Sequence, residues 1–344
     1  MTTRVALIAC SNGYGHIRRL LFLLEALRSR SAEPVLFAPL KSVQRLVQTE
    51  GVAPPEQVDF DSQTTISSWL DGTAWSWYKR LPSLSEYDVV VCDNLIEILK
   101  VRPDAWLSGS FFWHESLEEI SRELKRKSQE LLITHRPRMI SSSLFSSEKL
   151  MRYTRLYEVG LYKSGTEKTP NLRNKHDILI ACGRGGRIED EAKQFVTSLA
   201  KVKPTVFKKV WVDPAILPTS TPYWMMPATF TSQMYNSILA VVIRPGVGTV
   251  TNSLIAGAKV FSFYETGSCE MQENAQKITD AGYGCNTSSI EEAWKSAVTY
   301  AENSYAQKRH FHLLKGLNMD GAEETAKILL ERGDDQNSIG EESV

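Results

Sequence analysis

Leu-Ile-Ala-Cys occurs twice in this chain, as Leu7-Ile8-Ala9-Cys10 and as Leu179-Ile180-Ala181-Cys182, and each copy runs straight into a glycine-bearing turn. In both places the apolar run is too short for a helix and is followed by a stretch with helical periodicity. Strand, glycine turn and helix in that order open a Rossmann-like βα unit, and few other folds accommodate it. Tyr87–Cys92 holds three successive valines, which put apolar side chains on both faces. Such a run suits a strand of a parallel sheet, which is covered on both sides.

The alternation continues after each head. Val5–Cys10, Pro34–Leu40, Gln57–Phe60, Tyr87–Cys92, Ala105–Trp113 and Arg138–Phe145 read as strands, the last closing the first half. Helices are expected from His16 to Arg30, Lys41 to Glu50 and Glu115 to Leu132. Lys163–His176 is polar, holds Pro170 and lacks periodicity, as a linker does. Beyond it Asp177–Cys182, Thr205–Val212, Leu239–Ile243 and Lys259–Tyr264 read as strands. Glu189–Lys201, Thr231–Ser237, Gly248–Ala256 and Glu270–Ala281 read as the helices between them. The expected division is a Rossmann-like domain over 1–164, a linker over 165–176, a second such domain over 177–333 and an acidic, disordered tail over 334–344. A chain of 344 residues agrees with two domains of about 150 each. The fold class is therefore α/β, two Rossmann-like domains with parallel sheets facing a central cleft, the ligand lying outside the carboxyl ends of the strands.

Composition removes several function classes. Forty Lys and Arg balance forty Asp and Glu, so no global charge draws the chain to nucleic acid. No apolar run approaches the ~18–20 residues that cross a bilayer. The first apolar run is too short for a signal peptide. Five cysteines, widely spaced and without a C-x-x-C pair, suggest neither a disulfide framework nor a zinc site. A reducing cytoplasm is the expected location.

Three segments carry chemistry. The first turn is Ser11-Asn12-Gly13-Tyr14-Gly15-His16-Ile17-Arg18-Arg19. Gly13 and Gly15 let the backbone turn sharply and approach a ligand closely. His16 falls in the first turn of the helix, where the dipole disfavours imidazolium and leaves the neutral ring that a general base requires. The plain alternative is a tight turn with a solvent-facing His. A dinucleotide G-x-G-x-x-G fingerprint fails, because its third position is Arg18. The second turn, Gly183-Arg184-Gly185-Gly186-Arg187, combines backbone N–H groups with guanidinium forks, both suited to phosphate oxygens; a surface loop is the alternative. In the third segment a buried strand ends at Arg244-Pro245-Gly246 and Gly248-Thr249 opens a helix. A new strand follows at once, then the polar run Glu265–Ala275. The helix N-terminus suits a diphosphate and the polar run suits a sugar.

With these residues in view the chain resembles the GT-B fold glycosyltransferases, on the branch of the lipid-linked N-acetylglucosaminyltransferase of peptidoglycan synthesis. Residues 240–284 are similar to that family's strand, R-x-G-x-x-T, helix, x-x-A-x-G, strand and polar run ending in N-A. The Gly13–Arg19 run is similar to the G-x-G-H-x-x-R signature of the UDP-sugar hydrolases of pseudaminic acid synthesis. The resemblance implies an inverting, metal-independent transfer of a hexosyl or N-acetylhexosaminyl group from a nucleotide-diphosphate donor, UDP-linked, to an acceptor hydroxyl. The first domain would take the acceptor and the second the donor. His16 would be the base, with Asp93 orienting it, contacting acceptor or capping a helix. Gly13, Gly15, Gly183, Arg184, Gly185, Gly186, Phe230, Arg244, Gly246, Gly248, Thr249, Asn252 and Glu270 would bind donor. Phe230 belongs to the segment whose backbone reads the base. Asn252 stands where the family usually has a ribose-holding Glu, and Met271 where it has Gln.

Trp75 and Trp77 in the aromatic loop 68–80, with Trp113 and His114 at a strand end, are acceptor candidates, or packing groups. The acceptor itself is unassigned, a glycan or a lipid-linked molecule. No cofactor and no metal are expected. The D-x-D spacing of Asp59-Phe60-Asp61 is not read as a metal site, because GT-B enzymes use helix dipoles and basic side chains instead. The cluster Arg122, Lys125, Arg126, Lys127, His135, Arg136 and Arg138 reads first as a solvated face. Its alternative is a peripheral contact with anionic lipid at the inner face of the membrane. Two other functions fit the same motifs: a UDP-sugar hydrolase in which the His activates water, and a sugar-nucleotide-binding protein that has lost turnover.

Overall fold

Seven short strands make up the sheet of the first unit in the computed structural model, which describes residues 2–117, 119–163, 175–183 and 187–337. They are β1 (Arg4–Ile8), β2 (Glu33–Ala38), β3 (Glu56–Asp59), β4 (Val89–Asp93), β5 (Trp106–Ser108), β6 (Arg138–Ser142) and β7 (Arg155–Val159). All neighbours are parallel, in the order β3-β2-β1-β4-β5-β6-β7. Side chains alternate between two cores, as the period of a strand requires. Val5, Leu7, Val89 and Val91 face the helix Tyr14–Ser29, while Ala6, Ile8, Val90 and Cys92 face Trp69 and Trp77. Leu20, Leu24 and Leu27 of that helix recur at helical spacing and are fully buried. Each contributes about 1.5–3 kcal/mol of burial energy.

The second unit repeats the plan with β8 (Asp177–Ala181), β9 (Val210–Val212), β10 (Met225–Pro227), β11 (Ile238–Ile243), β12 (Lys259–Ser262) and β13 (Gly284–Asn286). The order is β10-β9-β8-β11-β12-β13, again parallel throughout. Two Rossmann-like α/β units are thus what the repeated strand heads foretold. In each sheet the strand order reverses beside the first strand, between β1 and β4 and between β8 and β11. Ligand crevices of open α/β sheets form at such switch points, outside the carboxyl ends of the strands.

Several expectations need correction. The first half does not close at 145, because β7 follows. The strand expected over 105–113 stops at Ser108: Gly109 takes φ +153° and Trp113–Ser116 is helical. The helix expected from Glu115 starts at Arg122, where the Ser121 hydroxyl accepts from the Leu124 N–H and caps it. The edge strands β10 and β13 have three residues each, too few for a periodic signal.

The domain boundary also moves. One unit comprises Met1–Gly165 with Asn318–Val344 and the other Thr166–Leu317, so the last segment returns to the first unit instead of ending the second at 333. The reason is packing. Ala322, Ala326 and Leu329 of the helix Gly321–Asn337 are buried in the same core as Leu20 and Leu24. Gly160 N–H donates to Glu324 Oε2 at 2.8 Å, and the Tyr162 and Thr325 hydroxyls lie 2.5 Å apart. The chain crossings are close enough to demand glycine: a Cβ on Gly321 would lie 2.1 Å from the Gly160 carbonyl oxygen. Residues 334–337, expected to be disordered, continue this helix. Of the expected linker, 165–174 lie outside the described residues, as do Arg184, Gly185, Gly186 and everything past 337.

Candidate functional site

At the first switch point, β1 leads into a turn at Gly13, whose φ of +102° lies where only glycine is comfortable. Gly13 begins the helix Tyr14–Ser29 with no side-chain cap, and a Cβ on Gly13 or Gly15 would meet nothing within 4 Å. The bend therefore keeps open space beside bare backbone N–H groups. His16 and Arg19, three residues apart, share the helix face that looks back at the sheet. On β4, Val89, Val91 and Asp93 alternate onto that same side, so the helix and the strand end bring the two ends together.

His16 Nδ1 lies 2.8 Å from Asp93 Oδ1. An ionised carboxylate only accepts, so Nδ1–H donates, and in the neutral ring Nε2 is the nitrogen left with a lone pair. Arg19 completes the group: its Nε donates to Asp93 Oδ2 at 2.9 Å and its Nη2 to Oδ1 at 2.6 Å. Asp93 is fully buried. Burial raises a carboxyl pKa, but Arg19 and His16 outweigh it and hold Asp93 below the usual carboxylate range. The Arg19 guanidinium is opposed by burial and favoured by Asp93, with a net upward shift. The outcome is an oriented imidazole with its basic nitrogen directed away from a charged support.

At the second switch point Ala181, Cys182, Gly183, Asp213, Phe230, Arg244, Gly246, Thr249 and Met271 line a pocket of about 140 Å³. Gly183 turns at φ +74° after β8. Arg244 follows β11, and its Nε donates to Glu265 Oε2 at 3.0 Å while its Nη2 reaches Oε1. This bidentate pair fixes the guanidinium plane. Gly246 starts the helix Val247–Ile255 without a side-chain cap, so the first N–H groups of that helix are not taken by a side chain. Buried Asn274 steadies the bend by donating to the Pro245 carbonyl at 3.0 Å. Phe230 holds φ +54°, a conformation a non-glycine residue adopts at a cost of about 1–2 kcal/mol. A strained residue lining a pocket is a mark of a functional segment.

Of the donor candidates, Gly183, Phe230, Arg244, Gly246 and Thr249 come together here. Gly248 lies within the helix Val247–Ile255, with half-buried Asn252 one turn further on; neither lines the pocket. Glu270 sits in the first turn of the helix Cys269–Asp280, and its neighbour Met271 lines the pocket instead. Asp213 had no role assigned from sequence; Arg19 entered there only as the last residue of the G-x-G-H-x-x-R run, and Glu265 and Asn274 only as members of the polar run assigned to a sugar. Arg19 was legible as the residue one turn beyond His16; Asp213 had only its place after a β run as a signal.

The acceptor candidates divide. Trp77 is 1% exposed and donates its indole N–H to Glu97 at 2.9 Å. His114 is 2% exposed and stacked 5.5 Å from Phe112, and burial lowers its pKa to about 4. Both are core groups, which corrects the expectation that they meet a ligand. Trp113 is buried against Trp69 and Phe111. Trp75 is half-buried with Lys100 Nζ 3.8 Å over its ring. Asp59 and Asp61 serve the backbone: Asp59 Oδ1 accepts from Leu40 N–H at 2.9 Å and Asp61 Oδ1 from Gln63 N–H at 2.7 Å. Among the described residues no three His, Cys, Asp or Glu side chains are grouped to hold a metal ion, and no helix is long and apolar enough to cross a membrane.

No family model matches the chain, and no curated protein matches it by sequence. Solved structures do match over nearly the whole length. The glycotransferase of kitacinnamycin superimposes with a TM-score of 0.64 at 13% identity, over 96% of this chain and 99% of that one. Spinosyn rhamnosyltransferase SpnG complexed with thymidine diphosphate gives 0.61 at 15%, over 93% and 98%. UGT89C1 of Arabidopsis thaliana complexed with UDP gives 0.63 at 11%, over 97% and 99%. At such identities the likeness establishes the fold, which is GT-B.

Proposed function

We propose that this chain is an inverting glycosyltransferase that moves a hexosyl or N-acetylhexosaminyl group from a nucleotide-diphosphate donor, UDP-linked, to an acceptor hydroxyl. The observation that carries the proposal is the His16–Asp93 pair at 2.8 Å, set at the switch point of a GT-B first domain. His16 Nε2 takes the proton of the acceptor hydroxyl as its oxygen attacks the anomeric carbon. Asp93 stabilises the imidazolium that results. The bond to the diphosphate oxygen breaks on the opposite face. Its negative charge is met by Arg244 and by the N–H groups at the start of the helix Val247–Ile255, aided by the Gly183 turn. Thymidine diphosphate in SpnG and UDP in UGT89C1 support a nucleotide diphosphate as the leaving group, and SpnG with its spinosyn aglycone supports a separate acceptor.

The acceptor is a glycan or a lipid-linked hydroxyl, met on the first domain near Trp75. We place the reaction in the cytoplasm, with peripheral contact at the inner membrane face through the basic residues of the helix Arg122–His135. The test is a donor panel with and without an acceptor library, read as nucleotide release and product mass. Nucleotide release that requires an acceptor supports transfer. Release of UDP and free sugar in equal amounts without acceptor would replace transfer by hydrolysis at the same His16. Tight binding without release under any condition would mark a binding protein.

A further inference from the structure

Arg244 is the one base among the described residues that line the pocket of the second unit, and its charge is already matched. Glu265, three residues beyond β12, accepts from its Nε at 3.0 Å and from its Nη2, so the carboxylate covers one edge of the guanidinium. Both side chains are half-buried, and water screens the pair only in part. The edge left over holds Nη1, which lies 3.9 Å from where a Cβ on Gly183 would stand. The remaining donors of Arg244 therefore face the glycine turn, with Glu265 behind them. A second carboxylate, Asp213, also lines the pocket. Among the described lining residues positive charge is not in excess; the groups suited to an anion are oriented N–H donors.

Such a pocket is sensitive to how much charge its ligand carries. In a nucleotide-diphosphate sugar the terminal phosphate is an ester with one negative charge. When the bond from the anomeric carbon to the phosphate oxygen breaks, the electron pair stays on that oxygen. The acceptor proton goes, in the reading above, to His16, so the departing diphosphate carries one negative charge more than it did in the donor. N–H donors serve both forms with the same geometry, whereas a carboxylate behind the guanidinium opposes the more highly charged form more strongly.

We infer that Glu265 is a positioning residue that, through its fork to Arg244, makes the pocket favour the donor over the nucleotide diphosphate left after transfer, and so speeds product release. This rests on the nucleotide-diphosphate reading above and adds to it the residue that separates donor from product.

Shape and charge can be separated at this position. Glu265→Gln keeps the length and one acceptor oxygen but removes the charge, while Glu265→Asp keeps the charge and shortens the reach. The experiment is calorimetric titration of the full chain and both variants with UDP and with the methyl ester of its terminal phosphate, which has the donor's charge and no sugar. At pH 8 the terminal phosphate of UDP is doubly ionised. Thermal melts of each variant confirm folding. In Glu265→Gln, UDP should bind ~10-fold more tightly than in wild type and the ester only ~3-fold, because UDP is relieved of one more unit of repulsion. Glu265→Asp should keep the wild-type ratio of the two affinities. An equal change for both ligands in Glu265→Gln, weaker UDP binding in that variant, or the same altered ratio in Glu265→Asp would overturn the role of Glu265 while leaving the donor reading intact. Failure of wild type to bind UDP, GDP or thymidine diphosphate at millimolar concentration would overturn the donor reading, and this inference with it.

Discussion

Asp93 Oδ1 stands 2.8 Å from His16 Nδ1 although 77 positions separate the residues in the chain. The contact exists because β4 pairs with β1, from Val5 opposite Val89 to Ile8 opposite Cys92, and not with β3, its predecessor in sequence. The same arrangement recurs in the second unit, where Arg244 after β11 comes beside Gly183 after β8. Their shared place at a switch point gives each unit one face on which chemistry can be built.

Replacement of His16 by Ala should lower turnover by ~10²–10⁴ with donor affinity unchanged, since only proton removal is lost. Steady-state rates paired with calorimetric donor binding check both halves. Full turnover in the variant would remove His16 from the mechanism.

Asp93→Asn should reduce turnover by a similar factor, because an amide can stabilise the wrong imidazole tautomer and cannot balance an imidazolium. It should also destabilise the fold by about 1–3 kcal/mol by weakening the charge-assisted hydrogen bonds of the Arg19 guanidinium. Asp93 has a depressed pKa in the folded state, so its contribution is fully present above the ordinary carboxylate value and is lost as pH falls below it. Denaturant titrations from pH 7 downward should therefore show the wild-type advantage begin to shrink once the pH passes below the ordinary carboxylate value.

Arg244→Ala should weaken UDP binding by ~10–100-fold and leave uridine binding nearly unchanged if, as proposed, the guanidinium meets the diphosphate. Titration with the two ligands separates this from a general collapse of the pocket. Equal losses for both would point to a packing role through Glu265.

Glu97 is fully buried, and burial raises its pKa to about 7, with the Trp77 indole N–H partly offsetting the effect. Its folded pKa exceeds the unfolded value, so ionisation lowers stability progressively as pH rises from about 4.5 to 7. Glu97→Gln keeps an acceptor for Trp77 and removes the buried charge. The variant should be more stable than wild type by about 3 kcal/mol at pH 8, with the difference nearly gone at pH 4.5. Urea denaturation at the two pH values measures it.

His114 shifts the other way. Its pKa falls to about 4 through burial, and its Nε2 has no hydrogen-bond partner. Between pH 6.5 and 4 the unfolded chain binds a proton that the folded chain refuses, so stability drops as pH falls through that window. At pH 5 the contribution is about 2 kcal/mol. His114→Leu should remove this part of the acid sensitivity and retain turnover at pH 7.5. A large loss of turnover would return His114 to the site.

The pocket of the second unit was legible to the extent that it is local. Gly183, Arg244, Gly246 and Thr249 follow strand runs directly, and glycine turns after apolar runs carry their own signal. His16 was legible for the same reason. Trp77 and His114 were not, because an aromatic or a histidine looks the same in sequence whether it faces a ligand or a core. Asp213 and Arg19 gain meaning only from neighbours brought in by other strands.

Local chemistry, then, settled the pieces: two αβ repeats, their glycine bends, and a base candidate at the start of the first helix. Apolar periodicity and glycine torsions act over a few residues, so the sequence states them openly. Tertiary structure decided which strand ends meet, that the helix Gly321–Asn337 belongs to the first unit, and that Asp93 and Arg19 together support His16. Parallel pairing forces crossovers between distant segments, and the order in which strands enter a sheet is chosen by the packing of whole faces, which no short stretch of chain encodes.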